Sequence, residues 1–173
     1  MTAERPSELS YNPHMPLSQA LLLPRIVIEN TMPTLDGGQF AVKSIAGREV
    51  VVTSKVFADG HDKLAVRIRW REEGEEAWQS EVMTDQGNNG WQGQFRPEQQ
   101  GRFLYCIEAW IDQFASFQYE LEKKHNAAVP VSLELQEGRS MVQQAAERSE
   151  GQLSEQLAAL HHELSGLLET EQV

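Results

Sequence analysis

The stretch Leu64-Ala65-Val66-Arg67-Ile68-Arg69-Trp70-Arg71 decides the fold of this 173-residue chain. Leu64, Val66, Ile68 and Trp70 alternate with Ala65, Arg67, Arg69 and Arg71. A period of two belongs to a pleated strand, whose successive side chains point to opposite faces. The apolar residues therefore share one face, which must find a core, and the arginines share the other.

The flanking sequence carries further strand signals. Glu49 to Ala58 is dense in Val50, Val51, Val52, Thr53 and Val56. Such residues are stiff at χ1 and suit a pleated surface. Arg25 to Glu29 is a short β-rich run, ended by Asn30 and Pro33, and Asp36-Gly37-Gly38 signals a turn. Trp78 to Met83 and Trp91 to Phe95 flank the loop Gln86-Gly87-Asn88-Asn89-Gly90. Asn and Gly tolerate positive φ, so this reads as a hairpin. In Arg102 to Asp112, Phe103, Tyr105, Ile107, Ala109 and Ile111 share a face. Leu104, Cys106 and Trp110 make the other face partly apolar, as in an interior strand. Short strands separated by turns, without βαβ alternation, predict an antiparallel β-sandwich.

After Asp112 the period lengthens. Phe114, Phe117 and Leu121 fall at helical spacing, and a break follows near Asn126 to Pro130. Leu133 to Glu150 reads as a second helix, with Gly138 as a weak point. Leu153, Leu157, Leu160, Leu164 and Leu167 are spaced four, three, four and three. That is an a/d heptad seam of period 3.5, which wants a partner helix from the same chain or from another. The expected class is mainly β with α. A flexible lead-in over 1–23 contains Pro6, Pro13 and Pro16, a β-sandwich spans 24–113, and a helical hairpin or bundle spans 114–173.

Composition excludes several function classes. With 40% hydrophobic and 24% charged residues, a packed core is expected rather than global disorder. Acidic residues outnumber basic ones, 26 to 15, for a net charge of -11. Nucleic-acid binding calls for a basic stripe to neutralise phosphates, and an anionic membrane is disfavoured for the same reason. No apolar run approaches the length of a membrane helix, and the N-terminus lacks the pattern of a secretory signal. One cysteine allows neither an internal disulfide nor a cysteine zinc site, and no cofactor is signalled. A cytoplasmic location is the expectation.

Candidate sites are few. Asp59, His61 and Asp62 suit a metal or an acid/base pair, but no further ligand is signalled, so a loop with Asp-to-backbone bonds is preferred. Trp70 shares its face with Leu64, Val66 and Ile68 and reads as core. Trp78 and Trp91 flank the hairpin and are the candidates for stacking on sugar rings, since indole faces suit pyranoses. Arg67, Arg69 and Arg71 read as a solvated face with cross-strand Glu partners. His161 and His162 point about 100° apart on a helix and do not share a metal easily. Cys106, mid-strand, reads as a small core residue.

Four segments together carry a family resemblance: Arg25 to Asn30, Asp36-Gly-Gly-Gln-Phe40, Phe57-Ala-Asp-Gly-His-Asp62 and Gly101 to Asp112. In combination they resemble the N-terminal domain of bacterial α-1,4-glucan:maltose-1-phosphate maltosyltransferases, members of the α-amylase superfamily of glycoside hydrolases. The resemblance covers Pro24 to Glu137. It implies an immunoglobulin-like sandwich with a helical insert that helps form a homodimer, the leucine heptad matching the insert. It also implies a later catalytic (β/α)₈ barrel with an Asp nucleophile and a Glu acid/base. That barrel would transfer maltosyl units from maltose 1-phosphate to an α-1,4-glucan in bacterial glycogen synthesis, retaining configuration in two steps. No barrel segment occurs here, so no position is assigned a catalytic role. The implied role is non-catalytic, with a second copy and the chain's own barrel as partners. A stand-alone glucan-binding module and a structural interaction domain using the heptad helix are the alternatives.

Overall fold

The computed structural model describes the backbone of residues 2–3 and 26–171 and the side chains of residues 26–166. Apart from Thr2–Ala3, the lead-in expected over 1–23 lies outside the described residues. Tertiary contacts divide the chain into two units, Met1–Asp112 and Gln113–Val173.

The first unit holds two sheets. Its strands are β1 (Thr2–Ala3), β2 (Ile26–Met32), β3 (Val50–Ala58), β4 (Leu64–Glu72), β5 (Gln79–Val82), β6 (Thr84–Gly87), β7 (Gly90–Phe95) and β8 (Phe103–Ile111). One sheet has the order β1-β8-β4-β5 and the other β2-β3-β7-β6. All pairs are antiparallel except the two-residue β1–β8 ladder. The inner faces meet in one core of Val50, Val52, Val56 and Phe95 from one sheet and Val66, Ile68, Phe103, Tyr105 and Ile107 from the other. The alternation in β4 thus becomes burial: Val66 and Ile68 are fully enclosed, and half-buried Trp70 stacks on Phe95 with ring centroids 5.3 Å apart. Stacking of this kind adds to the gain from removing the indole from water.

The segment expected as one strand from Trp78 to Met83 divides instead. β5 and β6 belong to different sheets, and Met83 between them is buried, its N–H bonded to Val66 O at 2.8 Å. Here the chain passes between sheets, so alternation is interrupted. Gly93 leaves room for the crossing: a Cβ there would lie 2.9 Å from Met83 Cγ. The expected hairpin joins β6 to β7. Asn88 and Asn89 adopt φ of 50° and 61°, as a two-residue turn matched to strand twist requires.

The second unit holds α1 (Gln113–Asn126), α2 (Ser132–Arg148) and α3 (Gln152–Glu171). Buried Glu134, Gly138 and Val142 form one stripe of α2 at four-residue intervals. α1 packs there through Phe117, whose Cζ lies 2.5 Å from where a Cβ on Gly138 would stand. Gly138 is therefore a seat for a ring rather than only a weak point in the helix. Lys124 of α1 pairs with Glu134, and this partner holds the Glu134 carboxyl below the ordinary carboxylate range. Gly151, at φ 62°, turns the chain from α2 into α3.

Tyr105 makes the core sensitive to alkali. Its ring is 1% exposed, and its hydroxyl donates to Pro33 O at 2.6 Å. Burial pushes the phenol up to about 12, because the phenolate would lose its water. The unfolded chain, with an ordinary phenol near 10, releases that proton first. Stability should therefore be intact below about pH 10 and fall by about 3 kcal/mol as pH rises towards 12. Tyr105→Phe should cost about 1 kcal/mol at pH 7 and remove most of the alkaline loss. Denaturant titrations of both proteins across that range check this, and equal slopes would refute it.

Candidate functional site

The outer face of β4 is organised by a residue from the neighbouring strand. In the β4–β8 ladder Arg67 lies opposite Glu108 and Arg69 opposite Cys106. Glu108 receives both arginines. Arg67 Nε and Nη2 reach Glu108 Oε2 at 2.7 and 2.6 Å, and Arg69 Nη1 reaches Oε1 at 2.6 Å. The three side chains are 30 to 41% exposed, so the cluster lies at the surface with solvent access. Burial pushes the Glu108 carboxyl up, but the bonds from Arg69 and Arg67 and their charges outweigh it, leaving the carboxyl below its ordinary value. Arg69 is raised in turn, chiefly by its bond to Glu108.

Two indoles flank this cluster. Arg67 lies over Trp110 at 5.4 Å, and Arg69 and Arg71 lie over Trp78 at 5.2 and 4.6 Å. These are cation–π distances. Trp110 is 41% exposed and Trp78 half-buried. Trp91 faces the other way: it packs against the core, and its indole N–H donates to Val56 O at 3.3 Å. The two glucan-stacking candidates are therefore not brought together. Trp78 joins the arginine face with Trp110, while Trp91 belongs with the core.

The helical unit carries the second candidate. Along the heptad, Leu153 and Leu160 are 55 and 38% exposed, whereas Leu157 and Leu164 are half-buried. Leu167 lies outside the residues whose side chains are described. α3 packs closely on α2, and Ser154 Oγ donates to Ala146 O at 3.2 Å. Phe114, Met141, Val142, Ala145, Leu157 and Leu160 line an open apolar cleft of about 320 Å³.

The remaining candidates stand apart. Asp59, His61 and Asp62 are exposed on the β3–β4 loop, and no group of three or more metal-ligating side chains gathers among the described residues. Cys106 is half-buried on the outer face of β8. His161 is half-buried and His162 exposed on α3. No helix among the described residues is long and apolar enough to cross a membrane. Alternation places Glu108 on the outer face of β8, but its role depends on β8 lying beside β4, which local sequence does not state.

These features define a module of mixed class, a two-sheet β-sandwich followed by a three-helix unit. The chain belongs to the family of α-1,4-glucan:maltose-1-phosphate maltosyltransferases, whose family model for domain N/S matches residues 24–173. Curated maltosyltransferases of that name agree. The protein of Pseudomonas aeruginosa is 36% identical over 157 residues, covering 91% of this chain and 24% of that protein. That of Burkholderia pseudomallei is 38% identical over 72% of this chain and 11% of its own length. That of Chlorobaculum tepidum is 35% identical over 80% of this chain and 20% of its own. The chain thus spans a quarter or less of the length of these relatives. The resemblance carried by the four sequence segments holds.

The Glu108 cluster leads to a pH-dependent expectation. Its carboxyl is below its unfolded value, so its contribution is present above the ordinary carboxylate range and lost as pH falls through the folded value. Glu108→Gln should cost about 1 kcal/mol at pH 7 by leaving Arg67 and Arg69 facing each other, and progressively less as pH falls below the ordinary carboxylate range. Urea titrations from pH 7 downwards measure this, and an unchanged stability at pH 7 would rule it out.

Proposed function

We propose that this chain is the non-catalytic N-terminal accessory and dimerisation region of a maltosyltransferase that transfers maltosyl units from maltose 1-phosphate to α-1,4-glucans. The observation that carries the reading is the family match over residues 24–173 by a chain spanning at most about a quarter of its relatives. The geometry agrees with it. A retaining glycosyl transfer needs two facing carboxyl groups, about 5 Å apart, beside a sugar-sized pocket. The carboxylate singled out on the outer sheet face, Glu108, is held by two arginines and is not poised for attack. The catalytic barrel would then be supplied by the rest of the polypeptide. A cytoplasmic location goes with this reading, as does an immunoglobulin-like fold for the sandwich.

The helical unit supplies the dimer contact in this proposal. Leu157 and Leu164 take part in packing within the chain, while Leu153 and Leu160 keep apolar surface exposed at heptad spacing. Helices with such a stripe associate to remove it from water.

A second reading, a glucan-binding face, draws on exposed Trp110 beside Trp78. Indole faces suit pyranose rings, but here guanidinium groups already lie over both indoles.

Three measurements test these readings. Phosphate release from maltose 1-phosphate in the presence of maltooligosaccharide should be absent with the 173-residue chain and present with the full-length polypeptide. Release by the short chain would end the non-catalytic assignment. Light scattering should show a dimer that Leu153→Asp with Leu160→Asp converts to a monomer. An unchanged mass in that variant would place the seam wholly within one chain. Tryptophan fluorescence should stay constant on titration with millimolar maltooligosaccharide, and a saturable change lost in Trp110→Ala would favour the glucan-binding reading instead.

A further inference from the structure

The sandwich unit bears a second apolar surface. Met32, Leu35, Phe40 and Ile45 are 52, 52, 57 and 64% exposed. Leu35 and Phe40 are opposed in an isolated antiparallel bridge, which brings their side chains together. Ile45 lies in the wall of an open cleft of about 580 Å³, with Ala41, Val42, Ala46, Pro97 and Phe103. Lys43, Ser44, Gln99 and Gln100 supply its polar lining. Single exposed apolar residues are ordinary, but a pair such as Leu35 and Phe40, with Ile45 exposed in a cleft wall of the same unit, offers apolar area for a contact.

The local backbone decides what kind of contact fits. Among the described residues, β2 is the outer strand of its sheet. Its pairing with β3 is interrupted between Glu29 and Met32, with Asn30 at φ 53°. An irregular edge of this sort discourages the addition of another strand, whether from a second copy or an extended peptide. Side chains seated in the cleft remain as the mode of contact. Most of each relative's length lies beyond what this chain matches, since the matched part is 24% of the Pseudomonas aeruginosa protein. A tethered domain docks at high effective concentration, so a modest, mostly apolar patch suffices.

We propose that the exposed apolar side chains of Met32, Leu35, Phe40 and Ile45, the last of them in the wall of the cleft, are where the sandwich unit docks on the remainder of its own maltosyltransferase polypeptide. This rests on the function proposed above and adds the face through which the module is held.

Hydroxyl-radical footprinting of the 173-residue chain and of the full-length polypeptide tests it. Labelling of Met32 and Phe40 should fall severalfold in the full-length protein. Equal labelling in the two overturns the docking proposal, as does a fall confined to Trp110, which would place the contact on the arginine face. Protection in the short chain that grows with its concentration would assign the surface to a second copy and also overturn it. Phe40→Ser with Ile45→Ser should leave the melting of the short chain unchanged, because both side chains are exposed there. In the full-length protein the same pair should split off a separate, earlier transition. Maltosyl transfer, measured alongside, keeps the two readings distinct. Transfer without protection refutes the docking face alone, whereas protection without transfer refutes the proposed function.

Discussion

The long ladder between β4 and β8 is the constraint from which the sandwich follows. It runs from Leu64 opposite Ile111 to Glu72 opposite Phe103, and each strand is committed on both faces. On the inner face, Val66, Ile68 and Tyr105 are at most 1% exposed. On the outer face, Glu108 answers Arg67 and Arg69. A slip of one residue would turn the arginines into the core and the valine and isoleucine into water. Burying unpaired guanidinium groups costs far more than any alternative pairing returns, so the register is determined twice over. The second sheet then has a fixed apolar surface to cover, and Phe95 settles between Trp70 and Tyr105.

The outer face shows how an acidic protein accommodates a basic stripe. Three arginines on one strand would repel each other if left alone. One carboxylate bridges two of them, and the indoles of Trp78 and Trp110 lie under the guanidinium groups. The result is a tied surface whose charges are largely answered locally. Such a face differs in chemistry from exposed Phe40 and Ile45, whose apolar side chains meet water.

In the helical unit, one helix has two tasks. A period of 3.5 lays Leu153, Leu157, Leu160 and Leu164 of α3 on one seam, yet a single neighbouring helix covers only part of that width. α2 also carries the stripe of Glu134, Gly138 and Val142, with Phe117 of α1 seated on Gly138. Packing within the chain therefore leaves Leu153 and Leu160 exposed while Leu157 and Leu164 are half-covered.

The sequence alone determined the elements and their faces. Alternation in Leu64 to Arg71 named both sides of β4, Asn88-Asn89 named the hairpin, and the leucine spacing named a helix with a seam. These are local properties, set by the pitch of strand and helix and by which residues tolerate positive φ. Four quoted segments also carried the family. Tertiary structure decided neighbours. Trp70, Trp78, Trp91 and Trp110 are alike in composition, but one stacks in the core, one bonds Val56 O from the core's edge, and two lie beneath arginines. Met83 separates β5 from β6, its side chain buried where the chain changes sheets. Glu108 acquired its partners, and Phe40 its exposure, only through the placement of segments distant in sequence. Contacts of that kind arise from sheet order and burial, which no local period encodes.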